Sequence, residues 1–179
     1  MILLINICKE KLHYLEFVRP IENVIGKDCF VKGYKELNKK DLEEADKVII
    51  CGTSLKDCEF SRKKNLKYFE WIKDFEKPIL GICGGMQVIG LTVGENIKKQ
   101  TEIGLFLEDF KENFLGLAGE QEVYHLHNNF ISEWGKEWKV YSKGQIIQAV
   151  KHKEKPLYGV LFHPEVRQKQ VIREFIKNG

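Results

Sequence analysis

The sequence has no Cys-x-x-Cys pair and no histidines at a convincing metal-binding spacing, although it carries five cysteines and five histidines. Cys8, Cys29, Cys51, Cys58 and Cys83 are odd in number and scattered. That pattern argues against a disulfide framework and suits the reducing cytoplasm. A basic excess is also missing: 29 lysines and arginines stand intermixed with 26 acidic residues, for a net charge of +3. A dedicated nucleic-acid surface needs a concentrated basic face, and the short runs Lys39-Lys40, Lys63-Lys64 and Lys98-Lys99 read as solvated positions. No glycine-rich lysine loop of the nucleotide-binding kind occurs, and no cofactor is expected. The apolar run Met1–Ile7 is too short to span a bilayer and lacks a basic leader, so it reads as a first strand. With no linker, repeat or low-complexity segment, residues 1–179 are expected to form a single domain. Their 43% hydrophobic content suffices for a sizeable core.

What is present is organised around the stretch Pro78-Ile-Leu-Gly-Ile-Cys-Gly-Gly-Met-Gln87. It begins as a short apolar run of the kind that forms a strand buried on both faces. It then meets Gly81, Cys83, Gly84 and Gly85 and passes into a helical pattern from Met86. Glycines around a cysteine at such a junction permit a sharp bend and a close backbone approach. The thiol then stands at the positive end of the following helix, in the manner of a nucleophile elbow.

Upstream, β-favouring runs at 1–8, 28–34 and 47–51 alternate with helical patterns at 11–25, 39–45 and 62–75, and a fourth strand is predicted at 78–83. Pro20 is placed to kink the first helix, and Asn38 to cap the second with Asp41 in its first turn. This order predicts an α/β fold, an open and mostly parallel sheet with helices on both faces. Its site should lie beyond the carboxyl ends of the strands, where Gly52 and Cys83 both fall. After Gly94 the pattern changes to segments at 103–110, 122–126, 138–142, 146–150 and 157–162, read as an antiparallel extension, and a closing helix at 166–177.

A nucleophilic cysteine needs a base. His13 in the first helix and His152 in a lysine-rich turn read as solvated. His125 and His127 flank Leu126 and share one strand face, but no third ligand has a convincing spacing, so no metal is expected. His163 differs, because it follows a buried-strand pattern and precedes Pro164-Glu165. Residues two apart in an extended segment point the same way, so the Glu165 carboxylate can set the His163 tautomer and free the other ring nitrogen for the thiol proton.

Gly81-Ile-Cys83-Gly-Gly85-Met-Gln87 resembles the Gly-x-Cys-x-Gly-x-Gln nucleophile motif of the class I glutamine amidotransferases, and His163-Pro164-Glu165 resembles their His-Pro-Glu motif. The resemblance extends over nearly the whole chain and implies that family's flavodoxin-like fold. It also implies hydrolysis of the glutamine amide through a Cys83 thioester, with His163 moving the proton and Glu165 orienting the ring. The oxyanion donors implied are the Gly84 amide and the loop Gly52-Thr53-Ser54, where the family commonly has Gly-Gly-Pro. A β-branched Thr53 is uncomfortable if that loop requires positive φ. Gln87 and the stretch Leu126-His127-Asn128-Asn129 resemble the family's glutamine-binding positions, with Leu126 where the family often has serine or asparagine.

The segment 147–165 is similar to the glutaminase subunit of split GMP synthetases, while Gly84-Gly85-Met86 departs from that subgroup. The resemblance therefore implies ammonia delivery to a synthetase on a separate subunit. Two alternatives on the same fold remain open, a stand-alone γ-glutamyl cysteine hydrolase and a non-catalytic binding module.

Overall fold

The computed structural model describes residues 1–179. In chain order the first half comprises β1 (Ile2–Asn6), α1 (Lys11–Phe17), α2 (Arg19–Ile25), β2 (Cys29–Gly33), α3 (Lys39–Glu44) and β3 (Lys47–Ile50). A 3₁₀ helix (Lys63–Lys73), β4 (Ile79–Ile82) and α4 (Gly84–Val93) follow. The second half comprises β5 (Ile97–Phe114), β6 (Leu117–Ile131), β7 (Trp138–Val140), β8 (Ala149–His152), β9 (Leu157–Val160) and α5 (Gln170–Asn178). Seven strands form one sheet in the order β2-β1-β3-β4-β9-β8-β7, with β2, β1, β3, β4 and β9 parallel and β8 and β7 antiparallel. The expected mixed α/β sheet is therefore present. No helix is long and apolar enough to cross a membrane.

The sheet separates two apolar cores, because successive strand residues face opposite ways. Ile2 and Leu4 of β1 join one cluster with Val18, Ile21, Ile172 and Phe175, while Leu3 and Ile5 join the other with Phe69, Ile72, Val88 and Ile89. Burial on both faces is the usual condition of parallel strands, and it fixes the register of each against its neighbours.

Several elements differ from their sequence expectation. The helix at 11–25 is two short helices, interrupted at Val18, with Pro20 in the first turn of the second. The segment expected as an α-helix at 62–75 is 3₁₀ instead. Its apolar residues Leu66, Phe69, Ile72 and Phe75 recur every three positions, which is the 3₁₀ period. The last helix starts at Gln170 and not at 166, because the His163 carbonyl accepts both the Val166 and Arg167 amides and holds that stretch in a turn. Asn38 and Asp41 do form a capping box at α3.

The largest difference lies in the second half. The short strands expected at 103–110 and 122–126 are parts of one long ribbon, β5 paired with β6, that forms a separate two-stranded sheet. Its turn, Leu115-Gly116, has positive φ at both residues (47° and 87°), as a two-residue hairpin turn requires. A bulge between Lys99 and Glu102 places two residues, Gln100 and Thr101, opposite the single Asn128.

α4 begins directly on the backbone of β3 and β4. A Cβ at Gly85 would stand 2.1 Å from the Ile50 carbonyl oxygen, and one at Gly81 would stand 2.6 Å from the Gly85 backbone. Both obstructions are main chain and cannot swing aside. Gly85→Ala is therefore expected to lower unfolding free energy by about 2 kcal/mol or more, read by urea denaturation. Near-unchanged stability would show that the helix can shift away from the sheet.

Candidate active site

The ends of three parallel strands bring the site together. Cys83 follows β4 with φ 48° and ψ −103°, a conformation rare for a residue with a side chain, and caps the N-terminus of α4. Its amide donates to the Val160 carbonyl on the neighbouring strand at 2.7 Å, which helps to pin the turn. The Gly84 amide, in the first turn of the helix, is one of the donors that a helix leaves without an internal partner.

His163 lies just past the end of β9 and is wholly buried, with its amide donating to the Tyr124 carbonyl at 2.8 Å. Its Nδ1 is 2.7 Å from Glu165 Oε1, so the side chains two apart do meet as expected. Nε2 has no hydrogen-bond partner and is free for proton transfer. Burial disfavours charge on the ring, but Glu165 and the neighbouring Cys83 sulfur outweigh it and raise the His163 pKa well above its usual range. The Phe17 ring lies 5.4 Å from it, centroid to centroid.

Gly52, past the end of β3, explains how the ring and the thiol come together. A Cβ there would stand 2.7 Å from His163 Cε1 and 3.6 Å from Cys83 Cβ, so glycine is needed for close approach. Neither Gly52 nor Thr53 has positive φ. The strain expected of a β-branched Thr53 is therefore absent, because the loop does not use the left-handed region.

Thr53 is held by a network that sequence reasoning missed. Asp57 Oδ2 accepts the Thr53 hydroxyl at 2.8 Å and the Lys9 amide at 3.0 Å, and lies 2.8 Å from His13 Nδ1. His13, expected on the solvent side, is thus part of the site's support. The signal missed was long-range, since α1 reaches the Asp57 loop only through the fold. Burial of Asp57 opposes its charge, but the donors from His13, Lys9 and Thr53 prevail and lower its pKa. The resulting stabilisation is present above the ordinary carboxylate pKa and is lost as pH falls through the depressed folded value. Asp57→Ala should cost about 1–3 kcal/mol at pH 7, with the difference from wild type shrinking toward pH 3 in paired urea titrations. A pH-independent difference would contradict this account.

Thr53, Cys83, Gly84, Gln87, Leu126, Asn128 and Asn129, all expected at the site, line one narrow cleft, and His127 lines it with them. The Cys83 thiol faces the Leu126 carbonyl at 3.5 Å. Gln87, expected to hold substrate, has its Nε2 committed to the Asn129 carbonyl at 2.8 Å. Asn128 crosses to the opposite wall, where its Nδ2 donates to the Leu55 carbonyl at 3.1 Å. Leu126–Asn129 is thus stitched across the cavity. His152, expected as solvated, accepts the Glu154 and Lys155 amides and shapes its own turn away from the site.

His125 and His127 also differ from expectation. The fold supplies the third potential ligand that spacing did not reveal: Glu102, across the ribbon, has its Oε2 2.9 Å from His125 Nδ1 and 2.9 Å from His127 Nε2.

A doubly wound α/β sheet with a buried histidine and carboxylate beside a cysteine elbow defines a recognisable class of protein. Residues 24–179 match the family described as Glutamine amidotransferase class-I. The chain is 37% identical over 116 residues to a subunit of the glutamine-hydrolyzing GMP synthase of Thermoplasma volcanium, covering 61% of this chain and 57% of that protein. It is 33% identical over 160 residues to the corresponding subunit from Ignicoccus hospitalis, covering 83% and 81%. A crystal structure assigned as a GMP synthase subunit from Thermoplasma acidophilum superposes with a TM-score of 0.82 at 25% identity, covering 98% of this chain and 92% of that one. The chain belongs to the class I glutamine amidotransferases.

Proposed function

We propose that the chain hydrolyses the side-chain amide of glutamine, with Cys83 as nucleophile, His163 as acid and base, and Glu165 as the group that orients and charges the ring. The observation that carries this reading is the Cys83 turn at φ 48° beside a histidine whose other nitrogen is held by Glu165. The Cys83 thiolate adds to the amide carbon. His163 Nε2 gives its proton to the departing ammonia, and a thioester remains. Water then adds as His163 takes back a proton, and glutamate and the thiolate are released. The oxyanion would be met by the Gly84 amide and an amide of the 52–54 loop, which Asp57 holds in place.

In this reading the ammonia passes to a separate synthetase subunit, in a cytoplasmic setting, and the acceptor reaction is GMP formation. The names of the relatives in Thermoplasma volcanium and Ignicoccus hospitalis support that assignment. A second support is the outer face of β5, where Ile103, Leu105 and Leu107 are 55%, 55% and 72% exposed. An apolar row on a strand face is a common mark of a docking surface.

Ammonia release from glutamine is the direct test. Cys83→Ala should lower it by about 10⁴-fold or more, with and without an added GMP synthetase subunit. Activity retained in that variant would remove the thioester route, and partner-free turnover of γ-glutamyl peptides would favour a stand-alone hydrolase. The raised His163 pKa predicts that kcat/KM falls on the alkaline side as the ring loses its proton. Glu165→Gln should move that limb to lower pH, because it removes the charge that holds the proton. An unmoved limb would mean that another group titrates there.

A further inference from the structure

Glu102, His125 and His127 have no part in the proposed amide chemistry, yet His127 lines its cavity and the other two are gathered around that ring. Glu102 stands opposite His127 in the ribbon register, next to the bulge at Gln100-Thr101. A bulge re-aims the side chain beside it. The ligand atoms of the three residues all lie within 4.8 Å of one another, and both histidine side chains are wholly buried.

Hydrogen bonding accounts for only part of this arrangement. His125 Nδ1 is bonded to Glu102 Oε2 at 2.9 Å. His127 Nε2 is equally near that oxygen but is not aligned for a hydrogen bond, and His127 Nδ1 and His125 Nε2 also lack partners. The Gln100 backbone also lies close to the His127 ring. Buried polar atoms are normally paired. Three potential ligand atoms within 4.8 Å of one another, with ring nitrogens left unpaired, can converge on a shared ion.

The surroundings fit the same reading. Glu108 Oε1 lies 3.5 Å from His125 Nε2, and Gln148 Nε2 donates to Glu102 Oε2 at 3.1 Å. A metal-bound imidazole usually presents its other nitrogen to a carboxylate. We propose that Glu102, His125 and His127 bind a zinc-class divalent cation, with Glu108 as the outer partner of His125. Two imidazoles and one carboxylate with a position left open suit such an ion. Because the histidines flank Leu126, whose carbonyl faces Cys83, the ion would stiffen that wall of the cavity.

The test is a Co²⁺ titration of the Cys83→Ser protein, which removes the thiol that lines the same cavity as His127. One equivalent should bind with visible d–d absorption and no thiolate charge-transfer band, and Zn²⁺ should displace it. Affinity should fall about 10-fold or more in Glu102→Gln, His125→Phe and, with all three ligands intact, Glu108→Gln, each shown folded by circular dichroism. No stoichiometric binding, affinity unchanged in the folded variants, or a thiolate band would overturn the proposal. Should a variant fail to fold, X-ray absorption of the Zn²⁺-loaded Cys83→Ser protein decides. Two imidazoles and oxygen without sulfur uphold the site, and any other shell rejects it.

Discussion

The geometry of the site depends on a close contact between main chains. The first turn of α4 lies on the backbone of β3 and β4 with no side chain between them, because Gly81 and Gly85 leave that space empty. Cys83 is thereby held at φ 48°, a conformation the residue would not adopt on its own. The two apolar cores on either side of the sheet are what keep the strands and helix close enough to maintain it.

The second constraint is electrostatic. His163 and Glu165 are both buried, so each loses hydration that the other must replace. Their 2.7 Å contact, the Tyr124 carbonyl and the turn at Val166 and Arg167 fix the ring in position, and the Glu165 charge favours its protonated form. Glu165 keeps Oε2 without a hydrogen-bond partner, so its charge is directed chiefly at the histidine.

Local pattern was enough to identify the parallel half, the cysteine turn and the His163–Glu165 pair. Each rests on residues adjacent or two apart in the chain, where strand alternation and glycine placement have direct meaning. The second half was less accessible. β5 is largely exposed and β6 buries the polar His125 and His127, so apolar alternation marks the ribbon poorly, and short fragments at 103–110 and 122–126 are all that the pattern reveals. His13, Asp57 and Glu102 went unnoticed at the site for a different reason. His13 meets Asp57 across 44 positions, and Glu102 meets His125 across 23, distances over which one sequence carries no register. The 3₁₀ helix has its period of three in plain view at Leu66, Phe69 and Ile72.

Asp57 Oδ2 gathers Thr53, Lys9 and His13 onto a single atom. Moving the 52–54 loop would unfasten contacts to the start of α1 and to the β1 end at the same time. The loop is thereby tied to the first helix and to the segment after β1 through one carboxylate oxygen. Any docking event that frees Asp57 would change the loop, the first helix and the floor beneath His163 in one cooperative step.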